Sequence, residues 1–154
     1  NTNTGPIPIY QRNFGAKMAL FQSNLGQLRL HGECNLFVSR DNIFQTSFEQ
    51  VMMQSTETLH KRLMVRFTGE EGLDYGGLAR EWLFLLGRDM QNPNYCLFQY
   101  ANENTYTTVI NPNSGVNEEH LHYFRFIGRI IGLAVFHAKF IDTGFTLAFY
   151  KRLL

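Results

Sequence analysis

Acidic and glycine residues alternate densely in one stretch of this 154-residue chain, Gly69-Glu70-Glu71-Gly72-Leu73-Asp74-Tyr75-Gly76-Gly77-Leu78-Ala79-Arg80-Glu81-Trp82. Clustered glycine amides at a helix start can cradle phosphate. A P-loop also needs a lysine and a hydroxyl, which are missing here, and Glu70, Glu71 and Asp74 repel an anion. The same carboxylates suggest an acid/base pair, but that work needs tuned carboxylates in a pocket. Capping and solvation are the favoured uses, with a nucleotide- or phosphate-using enzyme as the competing expectation.

Other reactive side chains form no constellation. His120 and His122 are two apart on an expected helix and point to different faces, while His31, His60 and His137 are isolated, so no metal site is expected. Cys34 and Cys96 are too few and too far apart for a disulfide framework or a zinc site. Cys96 falls in an expected strand with no His or Lys beside it to lower its thiol pKa, which favours a small core residue over a nucleophile. Arg80 with Glu81, and Arg125 with Arg129, sit among apolar residues, where buried paired charges that fix helix packing are favoured over catalysis.

The elements that must position these residues can be read from periodicity. Residues 1–8, with Gly5, Pro6 and Pro8, read as a flexible leader. Tyr10, Phe14, Met18 and Phe21 predict a first amphipathic helix from Ile9 to Leu25. Cys34 to Ser39 reads as a strand. Asp41 is the expected N-cap of a helix with Ile43, Phe44, Phe48, Val51 and Met52 as its stripe, and Thr56 that of a short turn to Lys61. Leu63 to Phe67 alternates as a strand. The glycine stretch then feeds a helix capped by Asp74, with Leu78, Trp82, Leu85 and Leu86 on its core face.

Asn92-Pro93-Asn94 stops that helix. Cys96 to Tyr100 and Thr105 to Ile110 predict a hairpin. Asn117, Glu118 and Glu119 start a helix expected to reach Phe140, with one stripe of Leu121, Phe124, Gly128, Ile131, Val135 and Ala138 and another of Phe126, Ile130, Leu133 and His137. A last helix begins near Phe145. The fold class is α+β and helix-dominated, with a few short strands.

Composition supports one domain, or a piece of one: 44% of residues are hydrophobic, 18% are charged and the formal charge is +1. That balance gives no reason to expect nucleic acid or an anionic membrane as partner. The most apolar run, Phe126 to Phe136, is far short of the roughly 20 residues that span a bilayer. The opening residues lack a secretory pattern, so cytoplasmic or nuclear placement is expected.

The string from Gly69 to Trp82 resembles the signature of the HECT class of ubiquitin-protein ligases, in detail the Nedd4-like branch. The likeness continues through Asn92-Pro93-Asn94-Tyr95-Cys96-Leu97-Phe98-Gln99-Tyr100, Ile110 to Ser114, His122 to Arg129 and Phe149-Tyr150-Lys151. It covers the chain from about Phe14 onward. The resemblance implies that residues 9–154 are the N-terminal part of the HECT N-lobe. The catalytic C-lobe, with its cysteine, and the subdomain that binds the ubiquitin-conjugating (E2) enzyme then lie outside this chain.

It also implies a parent enzyme that takes ubiquitin from the conjugating enzyme as a cysteine thioester and passes it to a substrate lysine. This chain would supply scaffold and part of a non-covalent ubiquitin-binding face, with no catalytic residue and no cofactor. Family contact positions fall on Asn92, Tyr95 and Tyr100. Two tyrosines beside a turn suit a hydrophobic patch, with the Asn amide adding hydrogen bonds; alternatively they pack the hairpin onto the helix. The chain departs from the branch pattern at Asn94, Cys96 and Gln99, where Tyr, Gly and Glu are frequent. The alternative function is a non-catalytic ubiquitin- or protein-interaction domain derived from the same fold.

Overall fold

Leu63, Val65 and Phe67 alternate along one strand and Cys34, Leu36 and Val38 along another, and the register sets each beside its counterpart, Cys34 by Leu63, Leu36 by Val65 and Val38 by Phe67. One face of the pair is therefore wholly apolar, and all six residues are buried. In the computed structural model, which describes residues 13–72, 76–104 and 106–153, these strands are β1 (Glu33–Val38) and β2 (Arg62–Phe67), and they run parallel. A parallel pair needs a crossover. Here it is made by α2 (Ile43–Met52) and α3 (Thr56–Leu59).

The helix α4 (Gly77–Asp89) packs on β2, and α2 packs on β1 and on α4. Their junction holds Trp82, fully buried, whose indole Nε1–H donates to the buried Ser47 Oγ at 2.8 Å. After α4 come a 3-10 turn (Pro93–Tyr95), the antiparallel hairpin β3 (Phe98–Tyr100) and β4 (Thr108–Ile110), a 3-10 turn (Ser114–Val116), α5 (His120–Phe136) and α6 (Leu147–Leu153). Helix α5 packs on α2 through an aromatic cluster, with Phe44 edge-on to Tyr123 at 5.1 Å and to Phe126 at 5.5 Å. The mixed helix-and-strand class and the hairpin match the sequence reading. No helix among the described residues is long and apolar enough to cross a membrane.

Several boundaries and faces differ from expectation. The first helix, α1, spans Phe14–Gln27, because Asn13 stands extended before it and its side chain accepts from the Gly15 and Ala16 amides. None of its residues is buried, and Phe14 is 78% exposed, so its apolar stripe lies largely open among the described residues. Asn42, not Asp41, flanks the start of α2, and Ser55, not Thr56, caps α3 by accepting from Thr58 N–H. The expected cap Asp74, together with Leu73 and Tyr75, lies outside the described residues, as do residues 9–12 and Thr105.

On α4 the buried face is Ala79, Trp82, Leu83 and Leu86, while Leu78 and Leu85 are only half-buried. Arg80 is exposed and Glu81 pairs with Arg40 at 2.7 Å, so these charges are neither buried nor paired with each other. Arg125 is likewise exposed, and half-buried Arg129 donates to the Val51 carbonyl in the last turn of α2 and to the Gln54 carbonyl just beyond it. That contact satisfies carbonyls a helix end leaves free.

Helix α5 stops four residues before the expected Phe140. Ala138 adopts a left-handed φ of 52°, its N–H bonds to Val135 O, and the Lys139 N–H bonds back to Ala134 O at 2.8 Å. This is the C-terminal pattern normally marked by glycine. The stripe of Leu121, Gly128 and Val135 faces outward, and the second stripe carries the core, with Phe126, Ile130 and Leu133 buried.

Candidate functional site

The three positions singled out from the sequence lie along one length of chain between α4 and β3. The site is built from its backbone outward. Where α4 ends, Asn92 N–H bonds to Asp89 O, and the Asn92 side-chain oxygen accepts from Asn94 N–H at 3.0 Å, capping the 3-10 turn. Proline at the first position of that turn has no N–H to leave unpaired. The turn delivers Tyr95 onto α2, where its ring stacks on Phe44 with centroids 4.2 Å apart.

Tyr95 is half-buried, and its hydroxyl donates to Asp89 Oδ2 at 3.3 Å. Burial first, and then the Asp89 carboxylate, push the phenol up to about 12, so Tyr95 remains a neutral donor at physiological pH. Asn92 Nδ2 reaches the other Asp89 oxygen at 3.5 Å. Asp89 thus joins two of the three candidate residues.

Two further asparagines clamp the same loop. Asn117 Nδ2 donates to the Tyr95 carbonyl and Asn111 Nδ2 to the Cys96 carbonyl, each at 2.9 Å. Between them Cys96 is left-handed, φ 55° and ψ 17°, ahead of β3 rather than within it, which corrects the expected strand position. Beyond it β3 carries Tyr100, 65% exposed and paired in register with Thr108. A cavity of about 320 Å³ beside it is lined by Tyr100, Asn102, Glu103, Asn104 and the 91% exposed Tyr106.

The two tyrosines are therefore unlike. Tyr95 spends one ring face on Phe44 of α2 and its hydroxyl on Asp89, while Tyr100 presents its ring to solvent. Sequence reasoning missed Phe44, Asp89, Asn111 and Asn117 as supports. Asn111 and Asn117 carried a signal only as loop and helix-start residues, and nothing in their spacing said that their amides would cross to another segment.

The remaining chemical candidates fall elsewhere. Glu70 is hydrogen-bonded by Arg40, which holds its carboxyl below the usual range, and Arg40 also lies over the Phe67 ring at 3.9 Å, so Glu70 is a partner in an ion pair. His120 Nδ1 meets Ser114 Oγ at 3.1 Å and His122 Nδ1 meets Glu119 at 2.9 Å. Cys34 is fully buried, and burial raises its thiol pKa against the opposing effect of Lys61, the reverse of what a nucleophile needs.

A family model described as HECT-domain (ubiquitin-transferase) matches residues 84–154. Curated proteins extend the likeness to nearly the whole chain. It is 52% identical over 148 residues to a probable E3 ubiquitin-protein ligase hulA of Aspergillus terreus and to the E3 ubiquitin-protein ligase RSP5 of Emericella nidulans, and 51% identical to the E3 ubiquitin-protein ligase pub1 of Schizosaccharomyces pombe. Each match takes in 96% of this chain but only 18%, 18% and 19% of the respective relative.

Proposed function

The chain belongs to the HECT-domain, Nedd4-like family of ubiquitin ligases, and from that premise we propose that it forms the N-terminal part of a HECT N-lobe with a partial, non-covalent ubiquitin-binding face at Asn92, Tyr95 and Tyr100. In the parent protein, on this reading, a cysteine outside these residues accepts the ubiquitin carbonyl from the conjugating enzyme's thiol. A substrate lysine amine then displaces it. Residues 9–154 contribute scaffold, and the exposed apolar stripe of α1 is available to the catalytic lobe or to regulatory domains.

The observation that carries the proposal is the built turn. Asp89, Asn111 and Asn117 fix Asn92 and Tyr95, while Tyr100 offers an exposed aromatic ring on a hydrogen-bonded strand. Rigid aromatic area beside satisfied polar groups is what a protein-binding hot spot requires. Catalysis by this chain is not part of the proposal, given the buried, raised-pKa thiol of Cys34 and the half-buried turn position of Cys96.

The test is a titration of isotope-labelled ubiquitin with this chain, followed by NMR, with folding of each variant checked by circular dichroism. Saturable shifts on one ubiquitin face, lost in Tyr100→Ala and weakened in Asn92→Ala, are expected. Undiminished shifts in both variants, or none from the folded wild type, would overturn the assignment. A thioester-linked ubiquitin on the isolated chain, lost in Cys96→Ser, would overturn the non-catalytic reading.

A further inference from the structure

The chain is nearly neutral overall, with 14 Lys and Arg against 13 Asp and Glu, yet its positive charge is not evenly spread. On the side of the molecule where α5 ends, a cleft of about 390 Å³ is lined by Arg29, Lys61, Arg62, Lys139 and His137, and no carboxylate is among its described lining residues. The ion pairs among the described residues involve Arg40 and His122, and none of them includes one of the four Lys and Arg side chains of the cleft.

The cleft is built rather than accidental. Leu30 N–H bonds to His60 O and Arg62 N–H to Gly32 O, each at 3.1 Å, fastening the segment of Arg29 to that of Lys61 and Arg62. His137 Nε2 meets the Leu59 carbonyl at 3.1 Å, which brings in the third segment, and Lys139 Nζ is held by Gly76 O at 3.2 Å. Like charges that line one cleft repel one another. Burial first, and then Arg29, Lys139 and His60, hold the His137 pKa below its usual value. An anion bound there would relieve that repulsion and meet donors already placed.

We propose that this cleft binds a compact polyphosphate anion, one with two or more phosphate groups. Lys and Arg together give point charge and forked donors, the combination suited to clustered phosphate oxygens. The volume lies within the roughly 300–1,000 Å³ of small-ligand pockets. Among the described residues the lining offers mainly cationic donors, and the phosphates carry recognition. The anion reaches the cleft either as a free polyphosphate or as a phosphorylated lipid headgroup.

The experiment is isothermal titration of the whole chain with inorganic triphosphate at low ionic strength, beside inositol hexakisphosphate and phosphatidylcholine vesicles with and without phosphatidylinositol bisphosphate. One-to-one, salt-sensitive triphosphate binding is expected. The double change Lys61→Gln with Arg62→Gln should weaken it about tenfold, while Arg152→Gln, outside the cleft lining, should change it less than about threefold. Added vesicle binding would identify the lipid headgroup as a source, and soluble anions alone would identify the free form. Absence of triphosphate binding by the folded wild type, equal binding by the folded double variant, or vesicle binding without soluble-anion binding would each overturn the cleft site.

Discussion

Replacing Ser47 with Ala removes a single oxygen from the most enclosed polar contact in the molecule. Trp82 Nε1–H donates to Ser47 Oγ at 2.8 Å, and both residues are fully buried, so water cannot replace the lost acceptor. The Ser and Ala side chains are otherwise close in size, and the change is therefore dominated by an unsatisfied indole N–H, which costs about 1–3 kcal/mol. For a domain of this length that is a drop of about 2–12 °C in Tm. Urea unfolding followed by fluorescence is well suited, because Trp82 is the chain's one tryptophan and the signal reports on the perturbed site itself. Pairing Ser47→Ala with Trp82→Phe completes a double-mutant cycle. Once the indole N–H is gone, Ser47→Ala should cost less than about 0.5 kcal/mol, within the scatter of independent changes. An equal loss in both backgrounds, or a loss below that figure in the wild type, would refute the claim that this bond ties α2 to α4.

Three other outcomes follow from the geometry. Gly87→Ala would push a Cβ against the Asp142 carbonyl and within 3.2 Å of Ile141 Cγ1, so despite alanine's helix preference it should lower stability by about 1–3 kcal/mol; an unchanged urea midpoint would contradict this. Cys96 and Ala138 both hold left-handed backbone, at φ 55° and 52°, so Cys96→Gly and Ala138→Gly should each be neutral to about 1 kcal/mol stabilising, whereas Cys96→Val should destabilise, as read from the same midpoints. His137, bonded to Leu59 O and facing Arg29, Lys139 and His60, has a folded pKa below its free value, so the native state binds fewer protons than the unfolded one. Its contribution is whole above about pH 6.5 and is lost as pH falls toward the depressed folded value. His137→Gln should flatten that part of the stability–pH curve, and a curve of unchanged slope would count against it.

Much of the fold was legible because periodicity is a direct record of burial. The alternation in Leu63, Val65 and Phe67 gave β2, and the apolar spacing from Phe44 to Val51 gave α2. Helix ends were less legible. The α5 stop uses Ala138 where glycine would have announced it, and Asn13 capped α1 from inside a stretch whose apolar spacing ran on past it. The choice between the two stripes of α5 depended on where α2 lies, which no local pattern contains. Of the candidate surface, Asn92, Tyr95 and Tyr100 came from resemblance to a family, and their unequal exposure could not be read locally: Tyr95 is claimed by Phe44 and Asp89, each from a different helix. The basic cleft was invisible for the same reason, since Arg29, Lys61 and Lys139 are brought together by backbone and side-chain hydrogen bonds that join distant segments.

The parallel pairing of β1 and β2 also sets an order of events during synthesis. A hairpin can close as soon as its second strand is made, but Glu33 must await Arg62, with two helices laid down between, and the apolar face of β2 awaits Trp82 and the rest of α4. At about 5–20 residues per second, the ribosome presents Leu36 and Val38 for roughly a second or more before Val65 and Phe67 exist to pair with them. The nascent first half is thus a client for chaperones that hold apolar strands, and a ribosome paused just short of α4 would display a sticky, unfinished sheet.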